Sequence, residues 1–452
     1  MRCTLKTAGA VRTVAGAQFP AFLEFLNPSK GDIMGSSRTL YDPSRRLAKW
    51  CLTAALVGAL VACSQMPAGH STSVAEGPAG LSFYTPPSPL PAGRHGDLIW
   101  ARTLTGDAAM PAAGHNWLVL YRSTDTAGQP IAVSGTVAVP AGTPPEGGWP
   151  VISWTHGTTG IADVCAPSRN GPDYPDKSYV DGINPVLNQW VQKGYAVLKT
   201  DYQGLGTPGV HPYLDGRSEA RSATDIVLAA RELDPALSRD WIVMGHSQGG
   251  QAAIYTSEIG TAYGHGLDLK GAVGISPASY LAEQVALGLK QTTAQANAFF
   301  PLIMVGMAAS APGVQVDKLL TPKGRELIGV VNQGCLGAFS KPGGWGSYKN
   351  DQVMNAKADF KPLEAALTSL SATQNVRPTV PLLVLQAKND QIVYSQFTNL
   401  MVQRFKDLGV DLHYVEYTDI PNFPAVNVHR ATVNRSLPDA VKWVEQHLPP
   451  RQ

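Results

Sequence analysis

Apolar positions along the chain form two kinds of pattern, short continuous runs and longer stretches with a helical repeat. Four runs are almost entirely apolar and read PVISWTHG, YAVLKTDYQG, DWIVMGHS and VPLLVLQAKND. Runs of this length, buried on both faces, are typical of parallel strands. The segment 218–234 lies between two of them and repeats Ala223, Ile226, Val227 and Ala230 at three- and four-residue spacing, which is typical of a helix.

Two further apolar segments, LKGAVGISPA and LHYVEYTD, extend this alternation of strand and helix. Nearer the N-terminus, NWLVLYRST and IAVSGTVAVP alternate polar and apolar residues and are separated by DTAGQP. This pattern predicts that the sheet begins with an antiparallel pair of strands. Strands that alternate with helices indicate an α/β fold, here a doubly wound, mostly parallel central sheet with helices on both faces. In such a sheet we expect the functional residues at the carboxyl ends of the strands.

The interval between Ser279 and Thr379 interrupts the alternation. It contains no clear strand, while AEQVALGLKQTTAQANAFFPLIMVGMAAS and DFKPLEAALTSLSAT are helical and apolar in pattern. We therefore predict a core made of residues 98–279 and 380–452, with residues 280–379 inserted as a helical cap or lid over the site. The alternative is a helical layer of the core with no role in access.

Residues 1–62 have the composition of a targeting segment. Residues 44–49 are basic, CLTAALVGALVA is apolar but short for a bilayer span, and the run closes on Leu-Val-Ala-Cys. This resembles a bacterial lipoprotein signal, which implies cleavage before Cys63 and attachment of lipid to it. An ordinary secretory signal is the alternative. The distance from Met34 to the basic residues suits a translation start at Met34.

The segment 63–97 is rich in Pro, Gly, Ser and Ala, which predicts a tether between a membrane and the folded body. Together with the signal, it indicates an exported protein. The predicted location is the bacterial cell envelope, in the periplasm or at the outer membrane, with release from the cell as a further option.

The charge distribution excludes one class of partner. The formal net charge is +2, but residues 1–62 hold eight Lys and Arg against three Asp and Glu. The rest of the chain therefore holds 28 basic and 31 acidic residues, without the basic excess that nucleic-acid binding requires.

The five cysteines divide between the signal and the body. Cys3 and Cys51 precede the predicted cleavage site, and Cys63 follows it directly. Cys165 and Cys335 remain in the exported body, where oxidising conditions favour one disulfide between them. Two buried free thiols are the alternative.

Ser247 is the candidate nucleophile. It is the centre of Gly-His-Ser-Gln-Gly, between the predicted strand WIVMG and the predicted helix GGQAAIYTSEIG. A strand-to-helix turn this tight forces its central residue into strained backbone geometry, and flanking glycines relieve the crowding. The context, more than the five-residue match, therefore indicates a nucleophile elbow.

A serine nucleophile needs an acid and a histidine later in the chain, in that order. The strand VPLLVLQAKND ends at Asp390, where the acid is expected. Asp359 and Glu364 lie in the predicted cap and are weaker candidates.

The base is expected on a loop after the last strand. His429, in PNFPAVNVHRATV, is predicted on such a loop, just before a terminal helix that begins near PDAVKWVEQHL. His413 lies inside the strand LHYVEY, and His447 lies near the end of the last helix. His429 is therefore the predicted base.

The oxyanion of an acyl-transfer intermediate needs donors that are already in position. We expect one from the backbone amide of Gln248, which follows the nucleophile. The second is expected from the loop THGTTG, with Thr158 as the donor and Gly157 supplying the bend. His156, in the same loop, is predicted to be structural.

The segment Gly204–Gly209 matches G-x-G-x-x-G, the pattern of a dinucleotide-binding turn. A dinucleotide site also needs a helix that begins at these glycines, and the following Pro-Gly-Val-His-Pro prevents one. No phosphate loop, zinc-spaced histidine pair or calcium loop is present in the sequence. We therefore predict neither a cofactor nor a metal.

Four motifs, WTHGTTG, DVCAPS, DYQGLGTPGVHPYLDG and GHSQGG, together resemble the secretory lipase family of α/β-hydrolases, which includes the yeast lipase A type. The similarity runs from about Trp100 to the C-terminus. The resemblance implies an α/β-hydrolase fold, serine esterase or lipase activity, and a cap inserted before the acid. It also implies a catalytic triad of Ser247, Asp390 and His429.

The expected protein is a membrane-tethered carboxylic ester hydrolase that acts through an acyl-enzyme on small-molecule or lipid esters. A serine peptidase or an acyltransferase would use the same three residues. A binding lipoprotein on an inactive hydrolase fold would lack one of them, and none is missing from the sequence.

Overall fold

The computed structural model describes residues 74–422 and 425–451. The predicted signal, Met34 and Cys63 lie outside the described residues. Nine strands of the described residues form one sheet. In chain order they are β1 (Leu98–Thr103), β2 (Ala113–Thr124), β3 (Pro130–Pro140), β4 (Trp149–Thr155), β5 (Ala196–Thr200), β6 (Leu237–His246), β7 (Asp268–Ile275), β8 (Leu382–Ala387) and β9 (Leu412–Tyr417).

Twelve α-helices accompany the sheet in the described part of the chain. They are α1 (Lys177–Gln192), α2 (Gly216–Leu233), α3 (Gln248–Tyr263), α4 (Leu281–Lys290), α5 (Phe300–Ser310), α6 (Val316–Leu319), α7 (Pro322–Ile328), α8 (Leu336–Ser340), α9 (Asn350–Val353), α10 (Lys361–Leu370), α11 (Ser395–Asp407) and α12 (Ala425–His447). Short 3₁₀ helices span Gly80–Tyr84, Asp163–Cys165, Pro167–Arg169, Gly329–Asn332, Trp345–Ser347 and Thr373–Asn375. Within residues 74–422 and 425–451, no helix has both the length and the hydropathy to cross a bilayer.

The sheet has the order β1-β2-β3-β5-β4-β6-β7-β8-β9. The pairs from β1 to β3, and β3 with β5, are antiparallel, whereas every pair from β5–β4 to β8–β9 is parallel. The mostly parallel sheet with an antiparallel opening confirms the sequence prediction. Thr155 and Gly245 are register partners where β4 and β6 end. The segments that follow these two strands therefore start side by side.

Alternate residues of the central strands face two different hydrophobic clusters. In β4, Val151 belongs to a cluster with side chains of α2, α3 and α11, whereas Ile152 belongs to one with side chains of α1 and α12. Both side chains are fully buried, which stabilises the fold by about 1.5–3 kcal/mol for each. Burial on both faces explains why these strands are apolar at nearly every position.

The interval between β7 and β8 contains helices α4 to α10, which we call the helical insertion (residues 281–370). Its apolar side chains form a cluster of their own, which also includes Ile161, Tyr213 and Leu214 from loops of the core. Its two ends lie side by side: Thr373 Oγ1 donates to the carbonyl of Ala278 (2.7 Å), and the Tyr280 amide donates to Gln374 Oε1 (3.2 Å). The insertion therefore leaves the core and returns to it at nearly one point.

The chain is already packed before β1, which differs from the predicted tether over residues 63–97. Phe83 and Tyr84 are buried in a cluster with Trp100 and Leu118, and the Trp100 indole donates to the carbonyl of Phe83 (3.0 Å). The Pro, Gly and Ser content on which the prediction relied does not indicate this burial, although residues 75–82 and 91–94 of the segment are exposed. Two adjacent aromatic side chains bury enough apolar surface to fix the segment.

A disulfide joins Cys165 to Cys335, whose Cα atoms are 5.5 Å apart. This confirms the predicted bond and excludes the alternative of two free thiols. The bond links the 3₁₀ helix after β4 to the start of α8. Beside it, Gly160 forms a backbone bridge with Cys335, and the Leu336 amide donates to Thr159 (2.7 Å). The helical insertion is thus fastened to the loop that follows β4.

Candidate active site

Ser247 lies between the last residue of β6 and the first residue of α3. Its backbone angles are φ 61° and ψ −119°, a region that costs a non-glycine residue about 1–3 kcal/mol. The surrounding structure holds it there, since the Ser247 amide donates to the carbonyl of Ile275 (2.9 Å). A Cβ atom at Gly245 or Gly249 would collide with Thr155. Both glycines are therefore required for the close approach of β4 to this turn.

Asp390 follows β8 and contacts His429. The Nδ1 atom of His429 lies 2.7 Å from Asp390 Oδ2, and the other carboxylate oxygen accepts the amides of Ile392 (2.9 Å) and Val393 (3.1 Å). Because the carboxylate can only accept, Nδ1 carries the imidazole proton and Nε2 carries a lone pair. Within the described residues, Nε2 of His429 has no hydrogen-bond partner.

The secondary structure around His429 differs from the prediction. His429 lies in the second turn of α12, which begins at Ala425 and continues through Pro438, whereas the sequence placed it on a loop. Pro438 favours a helix start at this point, in agreement with the shorter terminal helix that the sequence predicts. Val428 and Val433 are buried against the sheet, and this packing outweighs the local signal at Pro438.

The other acidic and histidine candidates lie elsewhere. Asp359 is exposed on the helical insertion, and Glu364 lies on α10. His413 is exposed on β9, while Nδ1 of His447 bonds to the carbonyl of Trp443 (2.8 Å). Among the histidines after Asp390 in the described chain, His429 alone is paired with that carboxylate.

Two backbone amides, one directly after Ser247 and one in the loop after β4, are available as donors. Within the described residues, the amides of Gln248 and Thr158 donate to no protein acceptor, whereas the Gly157 amide donates to the Tyr179 hydroxyl (2.8 Å). A Cβ atom at Gly157 would collide with that hydroxyl. Gly157 is therefore required by the close contact with Tyr179, and its own amide is already occupied.

His156 is buried in the same loop, and its contacts are those of a residue that stabilises the structure. Its Nδ1 atom lies 2.7 Å from the carbonyl of Gly157. Burial lowers the pKa of His156 to about 4, so the ring is neutral at neutral pH. It stacks at a tilt on Tyr202, with ring centroids 4.4 Å apart.

The side chain of Gln248 belongs to a buried polar cluster that the sequence did not reveal. Its Nε2 atom donates to Glu219 Oε1 (2.7 Å) and to His211 Nε2 (2.9 Å). Burial raises the pKa of Glu219 well above its ordinary value. Burial also lowers the pKa of His211 to about 3, so this ring is neutral at neutral pH. His211 lies just after Gly204–Gly209, the glycine-rich loop, where no helix begins. Gln248 thus connects the start of α3 to this loop.

No group of three or more His, Cys, Asp or Glu residues within residues 74–422 and 425–451 has the arrangement of a metal site. The arrangement offers a serine on a strained turn, an imidazole oriented by a carboxylate, and two unbonded amides. This set of groups can perform acyl transfer through a covalent intermediate.

The chain is similar in sequence to fungal lipases. A sequence model of the secretory lipase family matches residues 183–451. Lipase A of Moesziomyces aphidis is 26% identical over 197 residues, which cover 42% of this chain and 41% of that protein. The secreted triacylglycerol lipase LIP4 of Malassezia globosa is 26% identical over 357 residues, which cover 74% of this chain and 72% of that protein.

The fold is similar to a solved lipase structure. The X-ray structure of Candida antarctica lipase A in its closed state superposes with a TM-score of 0.62 at 20% sequence identity, covering 74% of this chain and 79% of that one. At this level of identity the likeness establishes the α/β-hydrolase fold, in agreement with the prediction.

Proposed function

The chain belongs to the secretory lipase family and is an ester hydrolase of the lipase and esterase type, and we propose that it works through an acyl-enzyme on Ser247. In this proposal Nε2 of His429 accepts the hydroxyl proton while Oγ attacks the ester carbonyl. Asp390 keeps the imidazole in the tautomer that leaves Nε2 free and stabilises the imidazolium. The amides of Gln248 and Thr158 bind the oxyanion.

In the later steps His429 acts first as an acid and then again as a base. The tetrahedral intermediate collapses as its bond to the alcohol oxygen breaks; that oxygen takes the proton of the His429 imidazolium and leaves as the alcohol, while the acyl group stays on Oγ of Ser247. A water molecule then loses a proton to Nε2 and attacks the acyl carbonyl. The second tetrahedral intermediate collapses as its bond to Oγ breaks, Oγ takes the proton back from Nε2, and the carboxylic acid is released. No cofactor takes part in these steps.

One observation chiefly supports the proposal: the 2.7 Å contact between His429 Nδ1 and Asp390 Oδ2. These residues are 39 positions apart and come from different elements, and their pairing leaves the basic nitrogen of His429 without a protein partner. A histidine with a purely structural role is expected to use both nitrogens, as His211 does.

We propose that the helical insertion is the cap over the site. Its cluster includes Ile161 and Tyr213 from the loops around the site, and Tyr213 also bonds to the side chain of Thr158 (2.6 Å). Ser247, Asp390 and His429 are only 8%, 3% and 5% exposed. Buried reacting groups and an apolar covering suit acyl chains, so we propose lipid esters as the substrate class.

A fluorophosphonate tests the proposed mechanism directly. It should form one adduct per chain, and peptide mapping should place it on Ser247. Hydrolysis of p-nitrophenyl esters and of an emulsified triglyceride, without amide cleavage or acyl transfer to added alcohol, should accompany it. A folded but unlabelled protein would instead favour an inactive binding protein, and amide cleavage or transfer would favour the peptidase or acyltransferase alternative.

The relatives include proteins named as secreted lipases, and the chain is an exported protein. We propose further that lipid on Cys63 anchors it in the bacterial cell envelope, because the apolar run 51–62 ends in small residues directly before this cysteine. Growth with labelled palmitate should therefore label the wild type and leave the Cys63→Ala variant unlabelled. Equal labelling of both proteins would disprove the anchor.

A further inference from the structure

A chain of three buried hydrogen bonds joins the loop after β4 to the backbone of His429. The Gly157 amide donates to the Tyr179 hydroxyl (2.8 Å), and this hydroxyl lies 3.1 Å from His246 Nδ1. The other ring nitrogen of His246, Nε2, lies 3.1 Å from the carbonyl oxygen of His429. Tyr179 and His246 are 5% and 1% exposed.

The direction of each bond follows from the chemistry of the two ends. The carbonyl of His429 can only accept, so Nε2 of His246 carries the ring proton and Nδ1 carries a lone pair. The Tyr179 hydroxyl therefore donates to Nδ1, and its oxygen accepts the Gly157 amide. Burial lowers the pKa of His246 well below its ordinary value, which keeps the ring in this neutral form. Every link then has one donor and one acceptor.

These hydrogen bonds connect the loop after β4 with α12, two parts of the site whose separation must stay fixed. The loop after β4 holds the Thr158 amide, while α12 holds the base, and the two segments are separated by more than 250 positions in the chain. Because the developing oxyanion and the proton acceptor act on the same bound ester, a small change in their separation lowers the rate strongly. The Gly157–Tyr179 bond also holds the loop in the arrangement that leaves the next amide unbonded.

We propose that Tyr179 and His246 are positioning residues that set the distance between the oxyanion donors and the base. This inference rests on the proposed function, since it assigns no role to either residue outside that reaction. Both act through other groups: Tyr179 through the Gly157 amide, and His246 through the carbonyl of His429. His246 also packs against the ring of His429, with centroids 4.4 Å apart.

The Tyr179→Phe variant separates positioning from packing, because it keeps the ring and its contact with Arg430 while removing the hydroxyl. We expect kcat for a p-nitrophenyl ester to fall about tenfold, with KM within about twofold, since the loss concerns the transition state. Fluorophosphonate labelling of Ser247 should still reach completion, but about tenfold more slowly.

Tyr195→Phe is the matched control. The Tyr195 hydroxyl is also buried and donates to the carbonyl of Leu448 (2.7 Å), away from the site. This variant should lose a similar amount of thermal stability while kcat stays at the wild-type value. An equal fall in kcat for both variants would show a general effect of a lost buried hydroxyl and would overturn the proposal.

A kinetic double-mutant cycle provides the second readout. His246→Gln retains a donor for the carbonyl of His429 but lacks the ring acceptor for Tyr179, and His246→Ala removes both. If the two residues act in one chain, Tyr179→Phe combined with His246→Gln should lose little more activity than the worse single variant. The His246→Gln variant should retain more activity than the His246→Ala variant.

Additive losses in the cycle, or a Tyr179→Phe variant with wild-type kcat, would refute the positioning role. If the wild-type protein is labelled on Ser247 in either case, the proposed function stands and only this inference fails. A wild-type protein that is neither labelled nor active would remove the proposed function itself, and the positioning role with it.

Discussion

Replacing Ser247 by alanine is expected to lower kcat for a p-nitrophenyl ester by about 10⁴- to 10⁶-fold. The remaining rate should come from the amides of Gln248 and Thr158, which the substitution leaves in place. Because Oγ of Ser247 is the proposed reacting atom and makes no hydrogen bond to the described residues, the thermal transition should stay close to that of the wild type. Steady-state kinetics and a melting curve on the same preparation would measure both effects.

Ser257→Ala is the matched control for this variant. Ser257 is a buried serine on α3, the helix that follows Ser247, and its hydroxyl donates to the carbonyl of Ile254 within that helix (2.6 Å). Its replacement should leave kcat unchanged. A Ser247→Ala protein that keeps more than about one hundredth of the wild-type kcat would be incompatible with a serine nucleophile at this position.

Removing the disulfide should have the largest effect on stability. The bond between Cys165 and Cys335 closes a loop of 170 positions, and the chain-entropy relation gives about 5 kcal/mol for a loop of this length. Engineered and natural bonds often contribute less, so we expect the Cys165→Ala/Cys335→Ala variant to lose about 3–5 kcal/mol of unfolding free energy. Urea denaturation, compared with the wild type in the oxidised and reduced states, would measure it.

The same variant should also lose activity. The backbone bridge between Gly160 and Cys335 lies beside the bond, two residues after the Thr158 amide. Without the covalent link, this part of the loop is held to the helical insertion only by hydrogen bonds and packing. Reduced wild type should match the variant in both stability and kcat. A variant within 1 kcal/mol of the oxidised wild type would show that the bond contributes no appreciable stability.

The parts of the fold that follow from local pattern were accessible from the sequence. Strands β4, β6 and β8 are buried on both faces, so their apolar runs were continuous and easy to recognise. Ser247 could be selected because a strand, a turn flanked by Gly245 and Gly249, and a helix follow one another without a gap. Asp390 could be selected for a similar reason, since it directly follows a strand.

The parts that depend on tertiary contacts were not accessible. The start of α12 upstream of His429 is fixed by the burial of Val428 and Val433 against the sheet. The local sequence contains no pattern that predicts this burial. Packing of Phe83 depends on Trp100 and on strands that lie later in the chain. Tyr179 and His246 contact each other across 67 positions, and no pattern of residues at either position indicates the bond.

Because the two ends of the helical insertion are joined, related proteins could differ in this segment, and so in the acyl group they prefer, while keeping the same core. Since Ala278 and Tyr280 bond directly to Thr373 and Gln374, we expect that the segment between them can be exchanged for one of another length without altering the order of the strands. Ser247, Asp390 and His429 all lie outside it, so a chimera would keep the proposed catalytic residues. Among the described residues, one covalent bond joins the insertion to the core, between Cys335 and Cys165. A transplanted segment would therefore need a cysteine at the position that faces Cys165. Under the proposed function, the core would carry the catalytic residues and the helical insertion could vary in length and sequence independently of them.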